Sequence, residues 1–83
     1  MFLHIKKAKY IKKYQVHLTF NNGVEGTADL SQALWGEVFE PLKDPKLFKT
    51  LHVDTELGTI VWNNGADLAP EFLLSLIKKD PQK

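Results

Sequence analysis

The chain contains no cysteine and no arginine, and none of its apolar runs approaches the length of a membrane span. Without cysteine, disulfide bonds and cysteine-ligated zinc sites are excluded, and this composition suits a reducing compartment. A membrane-spanning helix needs about 20 apolar residues. At the N-terminus the lysines follow only a few apolar residues, which reverses the order found in a secretory signal. We therefore predict a cytoplasmic protein without a membrane partner.

The absence of arginine also bears on nucleic-acid binding, because arginine is the usual reader of guanine and the preferred fork for phosphate. The net charge of +1 supplies no overall field that would recruit a polyanion. The charge is uneven, however, since five lysines precede the first acidic residue: Lys6, Lys7, Lys9, Lys12 and Lys13. We call this set the candidate basic edge. It leaves loose phosphate contact open and disfavours sequence-specific DNA reading.

The length of 83 residues predicts one domain, residues 1–83. A core this small gives modest stability, and association with another chain is one way in which small domains add to it. A homodimer through an exposed strand edge is therefore one expectation.

A hairpin is the clearest local pattern, because residues 14–20 and 24–30 both alternate between apolar and polar side chains. A two-residue turn would mix the two faces, whereas a three-residue loop at 21–23 keeps them apart. Gly23 then takes the left-handed position of the loop. The apolar face pairs Phe20 with Val24, Leu18 with Gly26, Val16 with Ala28, and Tyr14 with Leu30. The polar face pairs Gln15 with Asp29, His17 with Thr27, and Thr19 with Glu25.

Residues 3–11 predict a first strand, with a bulge or an edge position because its alternation is imperfect. After the hairpin, Ser31 is predicted to cap one helical turn that ends at Gly36. Asp44 and Pro45 then open another short helix, with proline at its first position.

Two short strands are predicted at residues 51–53 and 59–62, and the second is apolar on both sides, which favours a central position in the sheet. A last helix begins at Pro70, and its packing stripe is predicted to be Phe72, Leu73, Leu76 and Ile77. Lys78 and Lys79 are favourable at the negative C-terminal end of this helix, and Asp80-Pro81 is predicted to end it. The predicted class is α+β: a small antiparallel sheet (β-β-β, short helices, β-β) with a C-terminal helix packed on it.

Few residues suggest catalysis or metal binding. His4, His17 and His52 lie on three separate predicted strands, without the spacing of a metal site. Asp67 and Glu71 are four positions apart and could form a carboxylate pair, but acids near a helix N-terminus are explained by its positive end. We predict no catalytic residue, no metal and no cofactor.

The aromatic residues among the N-terminal lysines could stack on a single-stranded nucleic acid. Tyr14, however, belongs to the predicted apolar face of the hairpin, so a solvated edge strand is the preferred interpretation.

The segment from Trp62 to Glu71, WNNGADLAPE in one-letter code, resembles the bacterial family catalogued as domain of unknown function 2442. Further matching residues lie upstream: Leu18 to Val24, Ala28 to Leu30, Phe39 to Leu42, Phe48, and Leu57 with Gly58. The resemblance implies an α+β domain, found alone or ahead of a helix-turn-helix domain, and often encoded beside another small protein in a toxin–antitoxin-like pair. It implies no catalytic residues. Since the sequence ends soon after the last helix, we expect no DNA-reading domain.

Residues 62–71, which we call the signature segment, also have structural roles that can be predicted residue by residue. Trp62 is expected to end a buried strand, Asn64 and Gly65 to turn the chain, and Asp67 to accept backbone N–H bonds. Pro70 then sets the start of the helix. The segment could also frame an adjacent groove.

The leading hypothesis is a small non-enzymatic protein-interaction module, an antitoxin-like or adaptor subunit whose partner is encoded by an adjacent gene. The candidate interaction positions are Trp62, Asn64, Gly65, Asp67, Pro70 and Glu71. One alternative is a nucleic-acid-binding accessory protein that uses the candidate basic edge. Another is a small enzyme, which would require His17, Asp67 and Glu71 to converge.

Overall fold

The structure is a computed structural model that describes residues 2–77. Within these residues the chain forms β1 (Ile5–Lys12), β2 (Gln15–Phe20), β3 (Glu25–Asp29), 3-10 turns at Ser31–Ala33 and Glu40–Lys43, α1 (Pro45–Phe48), β4 (His52–Asp54), β5 (Thr59–Val61) and α2 (Pro70–Leu76). A three-stranded antiparallel sheet in the order β1-β2-β3 and a two-stranded β4-β5 sheet accompany the short helices. The α+β prediction is confirmed. The predicted features at Lys78, Lys79 and Asp80-Pro81 lie outside the described residues.

The β2–β3 hairpin has the predicted register. Val16 lies opposite Ala28, and Leu18 lies opposite Gly26, on the apolar face. The loop closes through the Phe20 N–H, which donates to the Val24 carbonyl at 2.8 Å. Gly23 has a φ of +89°, as the three-residue loop requires. Register follows here from alternation, because a shift of one residue would place every apolar side chain in water.

Strand β1 lies at the edge of the first sheet, as predicted. Its pairing with β2 shifts between Ile5 and Lys7 and again between Tyr10 and Lys12. These irregularities twist the edge and, with the lysines, discourage pairing with another chain.

The core lies between the apolar face of the first sheet and the chain that follows it. Phe48 of α1 is fully buried, and the rings of Tyr10 and Tyr14 meet its ring edge-on, with centroids 5.9 and 5.2 Å away. Trp62 packs on the other side, with a ring-centroid distance of 5.8 Å to Phe48. The Trp62 Nε1–H donates to the Phe48 carbonyl at 2.9 Å, so the buried indole is satisfied.

Two local predictions were wrong. Ser31 does not cap a helical turn; instead the Asp29 carboxylate accepts from the Ser31 N–H at 2.9 Å, and the 3-10 turn begins without a side-chain cap. Strand β5 is not the central strand of a larger sheet, because it forms a two-stranded sheet with β4 and has one further isolated bridge, from Val61 to Asp67. All three of its residues are buried because other elements cover both of its faces, which the apolar pattern could not separate from a central strand.

Gly58 lies where the two sheets meet. Its carbonyl accepts from the Ile5 N–H at 2.7 Å, and its N–H donates to the Asp54 carbonyl at 2.7 Å. Its φ is +71°, and a Cβ added there would lie 2.7 Å from the His4 Cβ. Glycine is therefore required both by the backbone conformation and by the close approach of β1.

Replacing Gly58 by alanine should destabilise the protein by about 2 kcal/mol or more, since a left-handed residue costs roughly 1–2 kcal/mol and the overlap with His4 adds to it. Gly23→Ala is the matched control, because Gly23 has a φ of +89° but no atom within 4 Å of an added Cβ. Urea denaturation would measure both. Equal losses in the two variants would contradict the close approach.

Candidate functional site

An apolar groove of about 670 Å³ runs between α2 and the chain that follows β3. Its lining is Asp29, Gln32, Ala33, Trp35, Gly36, Glu37, Val38, Phe39, Leu68, Phe72 and Leu76. Trp35 is 73% exposed, Val38 50% and Phe72 42%. Large apolar side chains are therefore gathered on one concave surface in contact with solvent, which is uncommon at a surface with no binding role.

Helix α2 forms one wall because it divides its apolar residues between two directions. Leu73 and Ile77 are buried in the core, and Leu74 packs against the core from the side. Leu76 also packs partly against the core and lines the groove, and Phe72, four positions before it, lines the groove and is 42% exposed. The predicted stripe was therefore wrong at one residue. Leu73, Leu76 and Ile77 contact the core as predicted, whereas Phe72 does not belong to it.

The opposite wall is the turn at residues 36–39. Gly36 has a φ of +93°, and its carbonyl accepts from the N–H groups of Phe39 at 3.1 Å and Glu40 at 2.8 Å. Phe39 packs partly against the core and anchors the turn, whereas Val38 faces solvent.

Asn64 of the signature segment fixes that wall. Its Nδ2–H donates to the Val38 carbonyl at 3.0 Å, across 26 positions of sequence. Its Oδ1 accepts from the Ala66 N–H at 3.1 Å, which holds its own turn closed. One side chain therefore ties the turn before α2 to the turn that presents Val38.

The rest of the signature segment supports the groove from behind. The Trp62 N–H donates to the Ala66 carbonyl, and the Gly65 N–H donates to the Trp62 carbonyl, both at 2.9 Å. Gly65 has a φ of +89°. Leu68, within the segment, lines the groove itself.

The residues predicted to start α2 differ in the roles that they have in the structure. Pro70 lies in the first turn of α2, and Glu71 is the acid of that turn, as predicted. Asp67 instead pairs with Val61 in an isolated β-bridge, and its carboxylate makes no hydrogen bond with residues 2–77. The predicted capping by Asp67 is therefore wrong, and Asn64 performs the local hydrogen bonding.

The charged residues that line the groove, among those described, are acidic: Asp29 and Glu37. Glu40 lines the adjoining depression with Glu37. No lysine occurs between Lys13 and Lys43, so the chain that builds β3 and the turn at 36–39 carries no basic residue.

The candidate basic edge is exposed at every position: Lys6, Lys7, Lys9, Lys12 and Lys13. None of these lysines forms an ion pair within residues 2–77, where the salt bridge present joins His17 Nε2 to Glu25 Oε1 at 3.1 Å. The lysines follow the outer strand β1, away from the α2–β3 side of the molecule.

The histidines and the candidate carboxylates do not assemble into one site. His17 lies on the polar face of the first sheet beside Glu25, whereas Asp67 and Glu71 lie at the turn into α2. No three metal-binding side chains cluster within the described part of the chain. In the same residues, no helix is long and apolar enough to cross a membrane.

The fold is that of a small α+β domain, with an apolar groove whose lining includes Asp29 and Glu37. The chain belongs to the family described as "Protein of unknown function (DUF2442)", whose model matches residues 5–79. No curated protein and no solved structure gives a significant match to it. Sequence reasoning found the signature segment but missed Trp35, Val38 and Phe72. The sequence signal that could have pointed to them is Trp35 next to Gly36, a large apolar residue beside a residue typical of turns.

Asn64→Asp should loosen the groove wall, because aspartate keeps the acceptor for Ala66 but opposes the Val38 carbonyl with a second acceptor. We expect a stability loss of about 1 kcal/mol, as for one hydrogen bond, with faster amide exchange at residues 36–40. Asn63→Asp is the matched control, since Asn63 is bonded through its backbone N–H to Thr50 Oγ1. Equal exchange rates in both variants would contradict this role for Asn64.

Proposed function

We propose that the protein is a non-enzymatic protein-interaction module that binds its partner in the apolar groove. The observation that carries the proposal is the exposure of Trp35, Val38 and Phe72 on one concave surface. Removing each of these side chains from water would lower the free energy of a complex, because burial of apolar area is the main favourable term in protein association.

The character of the groove supports a protein partner. Tryptophan and phenylalanine are enriched at the centres of interfaces, and a tryptophan in a pocket is a frequent source of most of the binding energy. The groove is open along one side, and it is shaped by a helix and a turn that are tied together through Asn64. A preformed wall lowers the cost of ordering on binding.

The family resemblance supplies a specific partner to test. We propose that the protein acts as an antitoxin-like or adaptor subunit for a small protein encoded by an adjacent gene. A homodimer through an exposed strand edge, away from the groove, is a second form of association, because a small domain gains stability by burying an edge. A cytoplasmic location would suit either form.

Co-expression of the chain with the adjacent gene product should yield a complex on size-exclusion chromatography. Trp35→Ala and Phe72→Ala should each weaken it by about 2 kcal/mol or more, as expected when an aromatic anchor is truncated. Phe2→Ala and Ile11→Ala are matched controls, since Phe2 is 90% and Ile11 44% exposed and neither lines the groove. Calorimetric titration measures the affinities.

Two independent monomer peaks, from the chain and from its neighbour, would contradict the proposal. A complex that survives both groove substitutions would place the interface elsewhere.

The exposed lysines support a second candidate function, a nucleic-acid-binding accessory protein. Four cations on β1 and a fifth, Lys13, in the turn that follows, all without ion pairs in residues 2–77, are the pattern of a phosphate-tracking surface. They are the candidate basic edge, and the groove plays no part in this alternative.

Replacing all five lysines of that edge by glutamine should abolish the retention of a single-stranded oligonucleotide, and the wild-type affinity should fall steeply with salt. Lys43 and Lys46, replaced together by glutamine, provide the control, because they lie in the turn at Glu40–Lys43 and in α1, outside β1. Oligonucleotide binding that is unchanged by the first set of substitutions would remove this candidate.

A further inference from the structure

We infer that the occupant of the groove is an amphipathic helix with an apolar face and lysine or arginine residues along its borders. The inference rests on the proposed function and names the chemistry of the partner. The walls of the groove supply the apolar contacts, and its acidic border supplies the charge selection.

The charges at the border of the groove favour a basic occupant. Glu37 lines the groove, and Glu40 lies beside it along the adjoining depression, whereas the Asp29 carboxylate in the lining is already engaged by the Ser31 N–H. The acidic border that an occupant would meet is therefore Glu37 with Glu40. Basic residues at the borders of the occupant would meet these carboxylates as its apolar face is buried. Such complementarity governs both the rate of encounter and the choice of partner.

The same charges argue against other occupants. An anionic membrane, a nucleic acid or a fatty acid would bring negative charge to an acidic border. A second copy placed groove to groove would bring a second set of the same carboxylates into the interface, and the groove lining in residues 2–77 holds no basic residue to meet them, which costs free energy. A cationic partner avoids both penalties.

The backbone beside the groove decides between a helix and a strand. Strand β3 borders the groove at Asp29, and its outer edge is already engaged at Ala28, which pairs with Ile77. An added strand would compete with this pairing, whereas a helix needs only side-chain contacts. Helices bind such surfaces through anchors spaced three and four positions apart. The Phe72 and Leu76 pair offers the matching spacing on α2.

The test uses two fluorescein-labelled peptides of about 16 residues, roughly 24 Å long as helices. Both carry the same leucine stripe, and the polar positions are lysine in one and glutamate in the other. Fluorescence anisotropy at low salt should give at least about tenfold tighter binding of the lysine peptide, and the ratio should shrink as salt screens the charges. Trp35→Ala should weaken binding of the lysine peptide.

The acidic border is tested with Glu37→Gln/Glu40→Gln, which should lower the affinity for the lysine peptide by several-fold, through loss of the attraction. Glu25→Gln/Glu56→Gln removes the same formal charge from exposed acids that do not line the groove, and should leave the preference unchanged. Equal binding of the two peptides would overturn the inference. So would a lysine preference that survives Glu37→Gln/Glu40→Gln, or lysine-peptide binding that is insensitive to Trp35→Ala.

The inference and the proposed function can fail separately. A co-expressed complex that depends on Trp35 but is unaffected by Glu37→Gln/Glu40→Gln would overturn the cationic helix and leave the interaction module standing. Oligomers of the chain alone, measured by light scattering and lost in Trp35→Ala, would identify a second copy as the occupant and overturn the inference.

Discussion

The contact between Trp62 and Phe48 is the interaction on which the rest of the fold depends. The indole N–H of Trp62 donates to the Phe48 carbonyl at 2.9 Å in a buried setting, and the two rings pack with centroids 5.8 Å apart. Tyr10 and Tyr14 close around Phe48 from the first sheet. This aromatic cluster joins the first sheet, the short helix α1 and the chain at the end of β5 into one core. A chain without disulfides depends on such a junction for its stability.

The groove is a consequence of that junction. Trp62 is held in the core, so the turn that follows it is fixed in place, and Asn64 then reaches the Val38 carbonyl. The same turn delivers the chain to α2, which buries Leu73 and leaves Phe72 facing the opposite wall. The family signature therefore shapes the groove without lining most of it. Trp62 and Asn64 determine the shape of the groove, and residues outside the segment form most of its lining.

Sequence reasoning succeeded where a pattern and a turn constrained each other. The hairpin register followed from alternation on two strands and from Gly23, and β1 was placed at the edge by its lysines and irregular pattern. It failed on Phe72, because helical periodicity shows that apolar residues share a side of the helix but not how far around the helix the core extends. The bond between Asn64 and Val38 lies across 26 positions, and no local signal predicts such a contact. The acidic border depended on the same long-range packing.

Charge adds a further constraint, because a net charge of +1 conceals a separation across the molecule. Within residues 2–77, the five lysines of the candidate basic edge lie on or just after β1, and the groove on the β3 side is bordered by Glu37 and Glu40. Near the groove, the screening length in physiological salt is about 8 Å, which limits the influence of the distant lysines. The local carboxylates, rather than the net charge, therefore decide what the groove accepts.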